Sequence, residues 1–215
     1  MLDLPTSTAL NKRIPKQKFY EHSDISPALK KTFSEQVKSI HWRNKIAPDV
    51  LSLAAGKEVE ELEVFELRLT DAQIDEAVLR LIDRAIPYHI LFLLIWEDRM
   101  RLAIAYKETP DAKSAGVRVE RYYYTDWLPI GEVVLRLEGL SIDAVYENLV
   151  RRIAGEALGD ARTSTLRESV AEQGRRERFE KQIAALETKI RQEKQPKKKF
   201  GLVARLRALR GIKNC

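Results

Sequence analysis

Tyr88-His89-Ile90-Leu91-Phe92-Leu93-Leu94-Ile95-Trp96-Glu97-Asp98-Arg99-Met100-Arg101-Leu102-Ala103-Ile104-Ala105-Tyr106-Lys107 is the stretch that decides the fold. Tyr88 to Trp96 holds no acid, lysine or arginine, and its apolar residues are aromatic, leucine or isoleucine. The run is too short to cross a membrane as a helix, and Pro87 cuts it off from what precedes. It reads as a strand apolar on both faces, hence a central strand covered on both sides. Glu97-Asp98-Arg99 is a turn, and Met100 to Lys107 returns as the second strand of a hairpin.

Upstream, Thr70-Asp71-Ala72-Gln73 has the form of a capping box. The helix it opens would bury Ile74, Val78, Leu81, Ile82 and Ala85 before Pro87 ends it. Val59 to Leu69 reads as a strand, with charged residues mostly between Leu62, Val64, Phe65, Leu67 and Leu69. Ser26-Pro27 marks a helix start running to about Val37, with Leu29, Phe33 and Val37 on one face. A change to strand is placed near Ser39. Pro48 suggests a short helical turn and Gly56 a glycine cap. Downstream, a loop at 109–116 leads to a strand at Val117 to Thr125, and Val133 to Leu137 reads as another. Ser141 caps a helix striped by Ile142, Val145, Leu149 and Ile153. The expected fold is α+β or α/β: a mixed sheet of about five strands with two or three packed helices.

Gly155 and Gly159 mark the end of the globular part. Three regions are expected: a basic N-terminal arm at 1–25, a globular domain at 26–158, and a helical appendage at 161–215. In the appendage Phe179, Ile183, Leu186 and Ile190 make a coiled-coil-like seam of about two heptads. Pro196 breaks it, and Leu202, Leu206 and Leu209 form a basic amphipathic segment able to fold back as a helical hairpin.

Charge is unevenly spread. The chain has 215 residues and a formal charge of +6, yet residues 1–193 carry about −2. The last 22 residues hold eight Lys or Arg and no acid. Such an end suits a polyanion or an acidic partner surface. Lys197, Lys198, Lys199, Arg205, Arg207 and Arg210 are therefore candidate phosphate contacts, with Lys12, Arg13 and Lys16 as a second cluster. Phe179, Ile183, Leu186 and Ile190 are candidate contacts for a partner helix or a second copy of the chain. Phe200 is the lone aromatic of the tail, which argues against base stacking there.

No catalytic constellation stands out. The single cysteine, Cys215, excludes a disulfide framework, and the start lacks a secretion signal, so a cytoplasmic location without membrane spans is expected. His22, His41 and His89 lack metal-ligand spacing, and no phosphate-loop, dinucleotide or nucleophile-elbow motif occurs. No cofactor and no metal are expected. His41-Trp42-Arg43-Asn44-Lys45 reads as a strand end with its charges outside, and Tyr122-Tyr123-Tyr124 with Trp127 as core packing. A divalent-metal nuclease would need carboxylates and a lysine converging at strand ends. Glu60, Glu61, Glu63 and Glu66 lie on a suitable strand, but no lysine follows within two residues of Glu66, and these acids read as edge charges.

Several segments together resemble a known family: Asn11-Lys12-Arg13-Ile14-Pro15-Lys16, Trp42-Arg43-Asn44-Lys45-Ile46-Ala47-Pro48, Ala54-Ala55-Gly56, Val64-Phe65, and Ile82 through Phe92, with Glu193-Lys194-Gln195 beyond. The chain resembles an uncharacterised bacterial domain-of-unknown-function family, number 4391. That resemblance implies a setting beside helicase-like ATPases and DNA methyltransferases in restriction-like or antiviral gene clusters, and no catalytic residue. The expectation is a non-catalytic accessory subunit with basic nucleic-acid contacts and such an ATPase or methyltransferase as partner. The alternatives are a nuclease with a degenerate motif and a structural adaptor that never meets nucleic acid.

Overall fold

The computed structural model describes residues 4–20, 25–108, 118–159 and 164–213. His22, Cys215 and the 109–116 loop lie outside them. The chain divides into two compact units, Met1–Gly155 and Glu156–Cys215.

In the first unit the elements run β1 (Ala9–Ile14), α1 (Pro27–Gln36), β2 (Val37–Ile46), β3 (Leu62–Leu69), α2 (Glu76–Ala85), β4 (His89–Trp96), β5 (Arg99–Glu108), β6 (Arg118–Tyr124), β7 (Leu128–Pro129) and α3 (Ile142–Ala154). The strands form one mixed sheet ordered β1-β2-β3-β4-β5-β6, with the short β7 also on β5. Among the described residues, β3 and β4 run parallel, joined through α2, and the other strand pairs are antiparallel. The 88–107 hairpin sits where its apolar pattern requires. β4 is buried along all but its last residue, between β3 and β5. Glu97, at φ 53, makes the turn.

The core includes Phe33 of α1, Val78, Leu79 and Ile82 of α2, and Phe65, Leu67, Phe92 and Leu94 of the sheet. α3 buries Ile142, Val145, Tyr146, Leu149, Val150 and Ile153 and packs on β5 and β6. Asp143, in its first turn, accepts from the amides of Lys57, Glu58 and Val59 at 2.7, 3.3 and 2.9 Å. Gly56 permits this clamp by its lack of a side chain. A Cβ there would lie 2.3 Å from Asp143 Oδ1 and from the Val59 carbonyl.

Four local expectations are corrected. Residues 9–14, set apart as part of an arm, are an edge strand of the sheet. Lys16, just beyond it, donates to the carbonyls of Ser34 and Val37 at 3.1 and 2.8 Å, fixing this segment to the end of α1. The capping box at Thr70 does not form: its hydroxyl donates to the Glu35 and Gln36 carbonyls, and Asp75 caps α2 instead, accepting from Ala77 at 2.8 Å. Val133 to Leu137 is not a strand. Finally, α1 gives way to β2 at Val37, two residues earlier than placed, because Val37 is fully buried and extended.

The second unit is a helical hairpin of α4 (Leu166–Gln192) and α5 (Pro196–Lys213). Thr165 and Glu168 make a reciprocal capping box at its start. Leu186 is buried, and Phe179, Ile183 and Ile190 are half-buried, as are Leu202, Leu206 and Leu209 of α5. The seam expected to seat a partner helix is thus partly covered within the chain, and Arg210 pairs with Glu187 at 2.6 Å. Isolated helices of this kind are marginal in water, so the seam holds the pair. Changing Ile183 and Leu186 together to Asp should cost the hairpin about 2–5 kcal/mol. Proteolysis near Gln195 should speed up at least several-fold; an unchanged cleavage rate would mean that the seam is only a solvated face.

Candidate nucleic-acid interface and buried polar clusters

Lys197, Lys198, Lys199, Arg205, Arg207 and Arg210 are all exposed on α5. Arg210 has its acid in Glu187. Among the described residues, no carboxylate is recorded in an ion pair with the other five. Residues 156–215 hold sixteen Lys or Arg against eight Asp or Glu. Over its 18 residues α5 has no acidic residue at all. Leu202, Leu206 and Leu209 are half-buried, whereas Phe200 is 78% exposed beside the three lysines.

The second basic cluster is split by the fold. Lys12 and Arg13 are exposed on the edge strand, and Lys12 Nζ stands 6.0 Å from the Trp42 ring centroid. Lys16 is occupied by the carbonyls at the end of α1 and is not a free cation.

The acids of β3 are not edge charges, because both faces of that strand are covered. Glu63 is 2% exposed and Glu66 6%. Glu66 pairs with Arg43 at 3.6 Å and Arg68 at 3.0 Å. Glu63 accepts from Trp42 Nε1 at 2.5 Å. Burial pushes its carboxyl up to about 7, with Glu61 beside it adding to the rise and Trp42 opposing it. Lys45 turns to Glu61, 2.9 Å away, and to Asp49 at 3.5 Å, and Glu61 holds the ammonium above its ordinary value. Asn44 donates to Thr8 at 2.9 Å, tying the chain start to β2.

A second cluster joins α2 to β5 and β6. Lys107 Nζ lies 2.8 Å from Asp83 Oδ1, with both side chains almost wholly buried. The ammonium also donates to the Tyr88 carbonyl at 2.7 Å, and Tyr122 donates to Asp83 Oδ2. Burial pushes the Asp83 carboxyl up, while the ion pair with Lys107 pulls it down. Burial also pushes the Tyr122 phenol up, with Asp83 adding to it. His89 rests edge-on against Tyr146, centroids 4.4 Å apart. Burial and then Lys107 bring its imidazole down to about 3, so it stays neutral. Asp83, His89 and Lys107 line a cavity of about 500 Å³ with Glu58, Glu60 and Arg84.

This cluster brings a carboxylate and a lysine together, the requirement named for a nuclease, but at Asp83 and Lys107 instead of the β3 glutamates. The pair is locked to itself. Among the described residues, no three His, Cys, Asp or Glu side chains gather as a metal site, and no helix is long and apolar enough to cross a membrane.

A family profile described as "Domain of unknown function (DUF4391)" matches residues 2–211. The chain belongs to the DUF4391 family. The match takes in both units, so the basic hairpin lies within the DUF4391 region. Comparison with curated proteins and with solved structures finds no match.

Proposed function

We propose that this DUF4391 protein is a non-catalytic accessory subunit that holds a nucleic-acid backbone through the basic face of its C-terminal hairpin. One observation carries the reading: Lys197, Lys198, Lys199, Arg205 and Arg207 are exposed, without a recorded acidic partner, on a helix whose Leu202, Leu206 and Leu209 are half-buried. A rise of 1.5 Å per residue spreads Lys197 to Arg210 over roughly 20 Å. That length matches about six phosphates of one strand. Such contacts position a protein without reading sequence. The proposed setting is a DNA-processing, restriction-like or antiviral assembly with a helicase-like ATPase or a DNA methyltransferase as partner.

The test compares the wild-type chain with Lys197→Glu/Lys198→Glu/Lys199→Glu on two duplexes of unrelated sequence. Losing three phosphate contacts should weaken both by the same factor, at least about ten-fold at moderate salt. Loss on one duplex only would mean base reading. No binding by the wild-type chain, with a protein complex disrupted by the same variant, would replace this reading with the structural adaptor.

A further inference from the structure

Glu63 is the residue the fold leaves unexplained. On β3 it stands two, four and six residues before Phe65, Leu67 and Leu69, so its side chain shares their apolar face of the sheet. It is 2% exposed there. No Lys or Arg among the described residues is recorded in an ion pair with it, the nearby Lys45 being given to Glu61. Trp42 Nε1 is the neutral donor it has. A carboxyl kept in an apolar wall without a paired cation is costly as an anion, and it is tolerated where it keeps its proton or where another group uses it.

The carboxyl borders an open cleft of about 320 Å³, walled by Trp42, Phe65, Ile86 and Tyr88, with Lys18 at its edge. Trp42 and Phe65 lie parallel, their planes 8° apart and centroids 6.1 Å apart. The volume is at the small end of ligand pockets, which run from about 300 to 1,000 Å³. A purely apolar occupant would leave the carboxyl unanswered. A cationic one would meet Lys18, which lines the cleft. What answers all three features is a small flat aromatic ring with an amino donor and an attached anion.

We infer that this cleft is a nucleobase pocket: Glu63 accepts an exocyclic amino group, the half-buried Trp42 and Tyr88 supply the stacking surface, and Lys18, which lines the cleft, faces the phosphate. Stacking on aromatic side chains with hydrogen bonds to the base edge is how proteins take up unpaired bases. The site does not draw on the α5 cations.

The experiment is a fluorescence and calorimetric titration of the full chain with CMP, AMP, GMP and UMP, and with a short single-stranded oligonucleotide. A saturable change is expected for bases bearing an amino group, with UMP weaker by about ten-fold. Glu63→Leu should bring the others down to the UMP level, and Trp42→Phe should remove the optical change. Saturation by mononucleotides identifies a free nucleotide as the source of the base; saturation by the oligonucleotide alone identifies a base turned out of a strand. The inference is overturned if neither ligand binds at millimolar concentration, or if UMP binds as well as the rest. Selectivity is read on the wild-type chain, so the test survives a Glu63→Leu chain that fails to fold. The Lys197→Glu/Lys198→Glu/Lys199→Glu chain should keep its mononucleotide binding while losing duplex binding, so that the two readings fail separately.

Discussion

Lys107→Met should be the most damaging single change in the sheet, costing about 3–5 kcal/mol, because it leaves the Asp83 carboxylate buried without its cation. Domains of this kind have only about 5–15 kcal/mol in total, so the variant should melt well below the wild type. Asp83→Asn/Lys107→Met should recover most of the loss. It removes both charges, and the amide oxygen still accepts from Tyr122. The single variant should also be less destabilised at pH 5 than at pH 8, since protonation relieves Asp83. Denaturant titration of the three chains checks this; a loss under 1 kcal/mol for Lys107→Met would mean that the pair is not held as described.

The second large effect concerns Glu63 and pH. Its folded value, about 7, lies above the ordinary 4.5. The folded state therefore keeps a proton that the unfolded chain releases, and stability falls as pH rises from about 4.5 to 7. The shift corresponds to about 3 kcal/mol. His89 acts oppositely. Its folded value of about 3 lies below the ordinary 6.5, so its contribution is lost as pH falls below 6.5. The two windows overlap, so the wild-type profile alone conceals both. Subtracting it from that of Glu63→Gln cancels His89. Glu63→Gln should match the wild type near pH 4.5 and exceed it by about 3 kcal/mol above pH 7, read from urea midpoints. A difference that does not change with pH would place Glu63 in contact with water.

The parts of the fold legible in the sequence are those whose pattern is local. The 88–107 hairpin is two apolar runs around a charged turn, and Ser26 and Ser141 cap their helices as their positions suggest. The seam of α4 and the returning α5 follow from spacing and Pro196. What stays hidden depends on distant pairing. β1 is polar along most of its length and is a strand only because β2 offers it an edge. Thr70 looks like a cap until the end of α1 is brought beside it. On β3, Leu62 and Val64 follow one face while Phe65, Leu67 and Leu69 follow the other, which conceals that Glu63 and Glu66 are covered. Asp83 and Lys107 meet only once β4 and β5 have been laid beside α2. The cations of α5 were visible by composition, whereas the capture of Lys16 by two carbonyls was not.

The most direct test of the central claim is the salt dependence of duplex DNA binding by the whole chain. With roughly four to six phosphate contacts, a plot of log affinity against log salt should fall with a slope of about −4 to −5. Lys197→Glu/Lys198→Glu/Lys199→Glu should flatten it by about 3. A wild-type chain that shows no measurable binding at low salt, or a slope that this variant leaves unchanged, would contradict the account.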